Sequence, residues 1–216
     1  MVDLSPGRRK ATVGSRGRAP SPRARERTVA RVPEASGDGE LVVLLDDEGR
    51  PVGAADKATV HTADTPLHLA FSCHVVDRAG RVLVTRRALT KNTWPGVWTN
   101  SFCGHPGPGE DMVAAVHRRG RDELGLEVVD VRPVLPDFRY RAVDASGVVE
   151  NEVCPVFTAT AVGEPRPAPG EVAEYRWVTR ADLALAVSSA PWAFSPWLVL
   201  QYADPRMHDA ERAPAH

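Results

Sequence analysis

GHPGPGEDMVAAVHRRGRDELGL, Gly104 to Leu126, is the stretch that decides how this chain folds. Residues 111–124 set apolar Met112, Val113, Val116 and Leu124 at helical spacing, and Gly125 follows as a stop signal. The Gly- and Pro-rich run before them reads as a loop, so the unit is loop, helix, loop. Five residues separate Gly104 from Glu110, seven separate Glu110 from Arg118, and Asp122-Glu123-Leu124-Gly125-Leu126 ends the pattern. Carboxylates one helical turn apart lie on one face and can share a hard cation. A cation held there would in turn attract anionic oxygens. An ordinary amphipathic helix with a charged outer face would show the same spacing, so the rest of the chain must decide.

On the N-terminal side, folding is expected to start near Glu40. LVVLL at 41–45 reads as a short buried strand and DDEGR at 46–50 as its turn. The β-rich runs 69–77 and 81–87, divided by Arg78, Ala79 and Gly80, predict a hairpin. On the C-terminal side, 137–143 and 148–158 predict a second hairpin around Ala145-Ser146-Gly147. EYRWV at 174–178 reads as a strand, 165–170 as a loop and 180–188 as a helix. A last helix starts near Ser195-Pro196, with proline at its first position. There is no internal repeat. Strands outnumber helices, which predicts an α+β fold with helices flanking a mixed sheet. The expected division is a basic tail over 1–39, one domain over 40–205, and a C-terminal tail over 206–216.

Charge separates the first of these from the second. Residues 1–31 carry nine Arg or Lys against Asp3 and Glu26, net +7, which leaves −8 on the rest of a chain whose total is −1. The tail is rich in Pro, Gly, Ser and Arg, has no hydrophobic periodicity, and cannot offset its ordering entropy, so it is expected to be disordered. A nucleic-acid or membrane-surface arm would have this composition, and an Arg-rich, acid-poor start also resembles a transit peptide. A solvated extension is the expectation carried forward. No apolar run approaches the length needed to span a bilayer, and no secretory signal pattern is present. Cys73, Cys103 and Cys154 are an odd set, which argues against a disulfide framework and for a reducing, cytoplasmic setting.

The Gly104–Leu126 stretch resembles the Nudix box, the loop–helix–loop with which that superfamily holds metal and diphosphate. Two positions depart from the pattern. Arg119 stands where a glutamate is usual after Arg118, and Asp122 stands where one precedes Glu123. Hydrolases of the family use those carboxylates to hold metals and activate water, so the thinned cluster puts hydrolysis in doubt and leaves Glu123 for one cation. HTADTPLHLAFS (His61–Ser72), TRRALTKNTWPGVWTNSFCGHP (Thr85–Pro106), PDFRYRA (136–142), VENEVCPVF (149–157) and PWAFSPW (191–197) together resemble the type 1 isopentenyl-diphosphate isomerases. The likeness covers roughly residues 41–205, and the same departures from the hydrolase box are usual among those isomerases. It implies a Nudix-like mixed β-sheet flanked by helices.

The resemblance also implies roles. His61, His68, His105, Glu150 and Glu152 fall on the family's metal ligands, and such a nitrogen and carboxylate set suits Mn²⁺, Mg²⁺ or Zn²⁺. Glu150 and Glu152 are two apart on a predicted strand and share a face. His74, His117 and His208 have no such support and are read as hydrogen-bonded or surface residues. Glu123 would take Mg²⁺ together with the substrate diphosphate. Lys57, Arg87 and Lys91 match diphosphate-binding positions, a fork and two point charges suited to phosphate oxygens. Arg86 is read as a solvated charge on the other strand face.

Cys103 and Glu152 match the acid–base pair, and Tyr140 the tyrosine beside that carboxylate. Cys73 and Cys154 are read as small buried hydrophobes. Protonating an unactivated alkene leads to a tertiary carbocation, which an aromatic face stabilises and shields from water. Trp192 is assigned that role, Trp177 is assigned to the core, and Trp94, Trp98 and Trp197 are pocket walls or core. The implied activity interconverts isopentenyl and dimethylallyl diphosphate in isoprenoid biosynthesis. The implied partner is a small diphosphate, with no nucleic acid and no membrane, on a monomer or weak homodimer. Three rivals remain: a Nudix-type diphosphate hydrolase, a catalytically silent binding module, and a nucleic-acid binder led by the basic tail. Which of Cys103 and Glu152 gives the proton and which takes it is left open.

Overall fold

A computed structural model describes residues 39–210, with side chains as far as His208. The tail expected over 1–39 lies outside the described residues except for Gly39, and so does 211–216. In chain order the strands are β1 Leu41–Leu45, β2 Pro51–Asp56, β3 His68–Leu69, β4 Phe71–Val76, β5 Val82–Arg87, β6 Trp98–Thr99 and β7 Phe102–Gly104. They continue with β8 Glu127–Leu135, β9 Arg139–Val143, β10 Val149–Val153, β11 Val156–Val162 and β12 Val172–Val178. The helices are α1 Lys57–Val60, α2 Met112–Leu124, α3 Arg180–Ser189, α4 Pro196–Ala203 and α5 Pro205–Ala210, with a 3-10 turn at Pro191–Ala193. Mixed sheets flanked by helices are the α+β arrangement expected. Among the described residues no helix is long and apolar enough to cross a membrane.

Two sheets share the strands. One runs β2-β1-β3-β10-β9; the other runs β12-β5-β4-β11-β8, with β6 on β5 and β7 on β4. The first predicted hairpin holds at its turn, where Gly80 takes φ +75°, but β4 and β5 pair only at Val76 and Val82. Beyond that point residues 98–104 wedge between them, β6 pairing Thr85 with Thr99 and β7 pairing Ser72 with Cys103. Polar side chains knit the wedge in place. Ser101 Oγ accepts from Val75 N at 2.7 Å and donates to Leu83 O at 2.7 Å, while Thr85 donates to Asn100 O at 2.9 Å. The chain segment that opens the decisive loop is thereby carried into the middle of the molecule.

The second predicted hairpin also differs. Residues 148–158 make two strands, not one, because the chain leaves the first sheet after Val153 and joins the second at Val156. Pro155 has no N–H to donate, which suits it to such a break. The β3–β4 segment makes the same crossing alongside. Glu152 pairs in parallel with His68, Ala70 N bonds Val153 O at 2.9 Å, Ser72 N bonds Pro155 O at 3.0 Å, and Val156 pairs in parallel with Ser72.

The predicted helix over 111–124 forms as α2, with the Asp111 side chain accepting from Ala114 N as N-cap and Gly125 closing it at φ +55°. The phenyl rings of Phe71 and Phe102 pack against its buried face with Leu124, Leu126 and Val128. The last predicted helix starts at Pro196 as expected. Residues 206–210, expected to belong to a tail, instead continue as α5, where Met207 is buried against Leu135, Leu198 and Tyr202.

Candidate active site

Alternation along β10 turns Glu150 and Glu152 to one face, and both are buried on the wall of a cavity of about 480 Å³. Register does the rest for Glu152. Tyr140 lies opposite it on β9 and His68 opposite it on β3, so three adjacent strands put these side chains in one row. The Tyr140 hydroxyl donates to Glu152 Oε2 at 2.9 Å. His68 Nε2 stands 3.4 Å and His105 Nε2 3.1 Å from Glu152 Oε1. His105 follows β7 and so arrives from the other sheet. His61, at the end of α1, places Nε2 3.1 Å from Glu150 Oε2, and Thr93 donates to Glu150 Oε1 at 2.7 Å.

This arrangement fits a metal ion. One donor atom from each of His61, His68, His105 and Glu152 lies within 4.8 Å of the others. His61 Nε2 and His68 Nε2 are buried without a hydrogen-bond partner although each faces a carboxylate. His68 Nδ1 lies 2.9 Å from Pro66 O, which places the ring hydrogen there and turns a bare Nε2 lone pair inward, as a ligating imidazole requires. Burial alone would raise the Glu152 pKa, but the His105 and His68 rings beside it outweigh burial and hold the carboxyl well below the usual range. Burial pulls His105 down, toward the neutral form that can ligate.

Basic side chains share the cavity wall, and Arg87 lies 5.3 Å from the centre of the Trp197 ring. Lys57, Arg87 and Lys91 line the cavity, as the sequence led us to expect, and so does Arg119. Each of three cations leans on an acid: Lys57 on Glu40 at 2.6 Å, Lys91 on Glu171, and Arg119 on Glu123 at 2.8 Å and Glu171 at 3.6 Å. Arg87 is held instead by carbonyls, with Nη2 donating to Thr93 O at 2.8 Å. Burial raises the Glu123 pKa against the pull of Arg119. Arg86 lies outside the cavity and bonds Gly96 O at 2.9 Å. Arg119 was legible only as a departure from a motif; its reversal of charge at a carboxylate position was the signal. Glu110 and Arg118 have a different task, a two-pronged pair at 2.8 Å on both bonds that ties the loop to α2. Gly104 lets that loop pass close, since a Cβ there would sit 2.6 Å from Arg119 Cγ and 2.8 Å from Phe71 Cζ.

Cys103 borders the cavity from the seven-stranded sheet, while Glu152 borders it from the five-stranded one. Burial pushes the Cys103 thiol up to about 12 against hydrogen bonds from Ser72 and Asn100. Burial and the Glu152 charge raise Tyr140 well above its ordinary value, so its hydrogen stays on the phenol. The assignment of Trp192 is corrected. Its side chain is 84% exposed on the 3-10 turn and does not border the cavity, whereas Trp197 is 2% exposed and does. Pro196 starts α4 one residue earlier and turns Trp197 inward, where its Nε1 donates to Asn100 Oδ1 at 3.0 Å and its ring lies 5.7 Å from that of Tyr140. Cys73 and Cys154 are buried as expected, and Trp177 packs against the core.

Comparisons with known proteins agree with this geometry. The family model described as NUDIX domain matches residues 66–198. A protein of Clavibacter michiganensis subsp. michiganensis named isopentenyl-diphosphate Delta-isomerase is 68% identical over 162 residues, 75% of this chain and 84% of that one. Proteins of the same name from Kocuria rhizophila and Corynebacterium glutamicum are 61% and 57% identical, cover 79% of this chain each, and are themselves covered to 95% and 93%. Among solved structures, a Deinococcus radiodurans protein aligns with a TM-score of 0.59 at 17% identity, over 76% of this chain and 98% of that one. A MutT protein from Methanosarcina mazei aligns at 0.52 and 18%, over 68% and 97%. The distant pair shares the fold. The near relatives share most of the sequence over most of their length, and on that ground the chain belongs to the NUDIX family and, within it, to the isopentenyl-diphosphate Delta-isomerases.

Proposed function

We propose that the protein interconverts isopentenyl diphosphate and dimethylallyl diphosphate, supplying an isoprenoid route with both isomers. The observation that carries this is the placing of Cys103 and Glu152 on different sheets around one cavity that basic side chains also line. Lys57, Arg87, Lys91 and Arg119 would hold the diphosphate, with the lysines and Arg119 exchanging their carboxylate partners for phosphate oxygens. Glu123 would share a Mg²⁺ with that diphosphate. The hydrocarbon then lies toward Cys103, Tyr140, Glu152 and Trp197. One of Cys103 and Glu152 gives a proton to the terminal alkene carbon, and the other takes one from the carbon nearer the diphosphate. Between the two transfers the substrate is a tertiary carbocation, and the Trp197 face attracts it while the buried cavity keeps water away.

His61, His68, His105, Glu150 and Glu152 would hold Mn²⁺, Mg²⁺ or Zn²⁺. That ion supplies a fixed positive charge beside Glu152, which governs when the carboxyl carries a proton. Tyr140 would keep the second Glu152 oxygen in place through its hydroxyl hydrogen bond.

Incubation of the purified protein with isopentenyl diphosphate and Mg²⁺ in D₂O, followed by NMR, tests the reading. Deuterium should enter dimethylallyl diphosphate. Release of inorganic phosphate without isomerisation would favour a Nudix-type hydrolase instead. Cys103→Ala and Glu152→Gln should each cost about 10²–10⁴-fold in turnover with the fold intact, as loss of a proton-transfer group does.

A further inference from the structure

A buried row of polar side chains leads away from Cys103 into the protein. Ser72 on β4 faces Cys103 on β7, and its Oγ lies 3.3 Å from Cys103 Sγ and 3.5 Å from Cys154 Sγ. Gln201 on α4 donates from Nε2 to Ser72 Oγ at 3.0 Å, and its Oε1 lies 2.8 Å from His74 Nε2. Ser72 and Gln201 are 0% exposed and His74 is 2% exposed. Such burial costs free energy unless every group is bonded, and apolar side chains would fill the same space without that demand.

The row has a direction. Burial draws the His74 pKa down to about 4, so the ring is neutral and carries one hydrogen. Its Nδ1 has no partner. The hydrogen therefore belongs on Nε2, where Gln201 Oε1 accepts it; the other tautomer would bury an unpaired N–H. Gln201 is then committed to presenting its NH₂ to Ser72. The Ser72 oxygen accepts that bond, and its own hydrogen is left to a sulfur. Of the two sulfurs in reach, Cys103 is the nearer and the one that borders the cavity. A second donor converges on the same atom, Asn100 Nδ2 at 3.4 Å. Asn100 is itself oriented by Trp197 Nε1 at 3.0 Å and Thr99 Oγ1 at 2.9 Å on its Oδ1.

We infer that Ser72 and Gln201 are positioning residues for Cys103: the one-way row from His74 aims the Ser72 hydroxyl hydrogen at the sulfur, holding it toward the cavity and stabilising it while its proton is on the substrate. The inference rests on the role of Cys103 in the proposed reaction. A donor helps an ionised acceptor more than a neutral one, so the bond strengthens during turnover and acts on kcat more than on KM. Gln201 acts only through Ser72, and no group of the row touches the substrate.

The test uses Ser72→Ala, Gln201→Met and the double variant of the full chain. Four quantities are read: kcat, KM, Tm, and the rate of Cys103 alkylation by iodoacetamide at one fixed pH, followed by peptide mass. Each single variant should lose about tenfold in kcat with KM within about twofold, and alkylation should slow by a similar factor. The double variant should be no slower than Ser72→Ala, because Gln201 has nothing to act through once the hydroxyl is gone. A purely structural row would lower Tm and leave kcat and alkylation of the folded protein unchanged, and that result overturns the inference. Losses that multiply in the double variant also overturn it. Failure of the wild-type protein to isomerise would instead defeat the proposed function, and the alkylation rates would still decide whether the row acts on Cys103.

Discussion

Two tryptophans five positions apart in PWAFSPW show how much one residue's direction matters. Trp197→Phe and Trp197→Leu both lose the bond to Asn100, so comparing them isolates the ring face. Positive charge develops only after the alkene takes its proton, so the face helps the transition state more than the substrate. With a desolvated cation–π attraction of up to about 2 kcal/mol, the Leu variant should fall below Phe by up to roughly 30-fold in kcat. Trp192→Ala should leave kcat and KM near wild type. Equal kcat for the Phe and Leu variants would return Trp197 to a packing role. His74 sets a second test. Its folded pKa of about 4 lies below the ordinary value of 6.5. Between those values the unfolded chain binds a proton that the folded one refuses, so stability falls as pH falls through that window. From pH 7 to pH 4 wild type should lose about 3 kcal/mol more than His74→Gln, which lacks the titrating ring, both read by urea unfolding.

At the scale of elements, what periodicity and punctuation control was legible in the sequence. The α2 helix, its Gly125 stop, the turn at Gly80 and the start of α4 all follow from local chemistry, which acts within a few residues. What was not legible depends on partners distant in sequence. Nothing near Val76 tells that Trp98–Gly104 will wedge into the β4–β5 hairpin, and nothing near Val153 beyond Pro155 tells that the strand changes sheets. Site residues were found largely through a family likeness. That route pointed to Lys57, Arg87, Lys91, His61, His105, Glu150 and Glu152, which line the cavity, and to His68, which is buried beside Glu152. It chose Trp192 of two tryptophans in one motif, where helix geometry turns Trp197 inward instead. The wedge also makes a prediction. Gly104→Ala would press a methyl on Arg119 and Phe71 at contacts of 2.6 and 2.8 Å. Overpacking of this kind costs about 1–3 kcal/mol. Tm should fall, and KM should rise as Arg119 is pushed from its place on the cavity wall. An unchanged KM would separate Arg119 from substrate binding.

Over the whole molecule, the His/Glu cluster joins what the backbone keeps apart. His68 and Glu152 belong to the five-stranded sheet, and His105 follows a strand of the seven-stranded one. A metal bound there adds a cross-link present only in the folded state, so it should stabilise by mass action. Stripping the protein with a chelator should lower Tm by several degrees, at about 2–4 °C per kcal/mol for a chain of this size. Added Mn²⁺ should restore it, and the Tm of His68→Ala should not respond. A wild-type Tm indifferent to both treatments would argue against a resident ion.

The paired crossing of β3–β4 and β10–β11 has a consequence for the order of events during synthesis. His61, His68 and His105 leave the ribosome well before Glu152, and the segment carrying Glu152 is the one that pairs with both β3 and β4. Until it arrives, a nascent chain presents three imidazoles without their carboxylate and two strands without their neighbours. Parallel pairing between distant segments is slow because a long loop must close first. Glu152 is thus both the last of the four clustered residues to be made and part of the closure that completes the two sheets, so a fragment that ends before Glu152 lacks the cluster and the sheet pairing together.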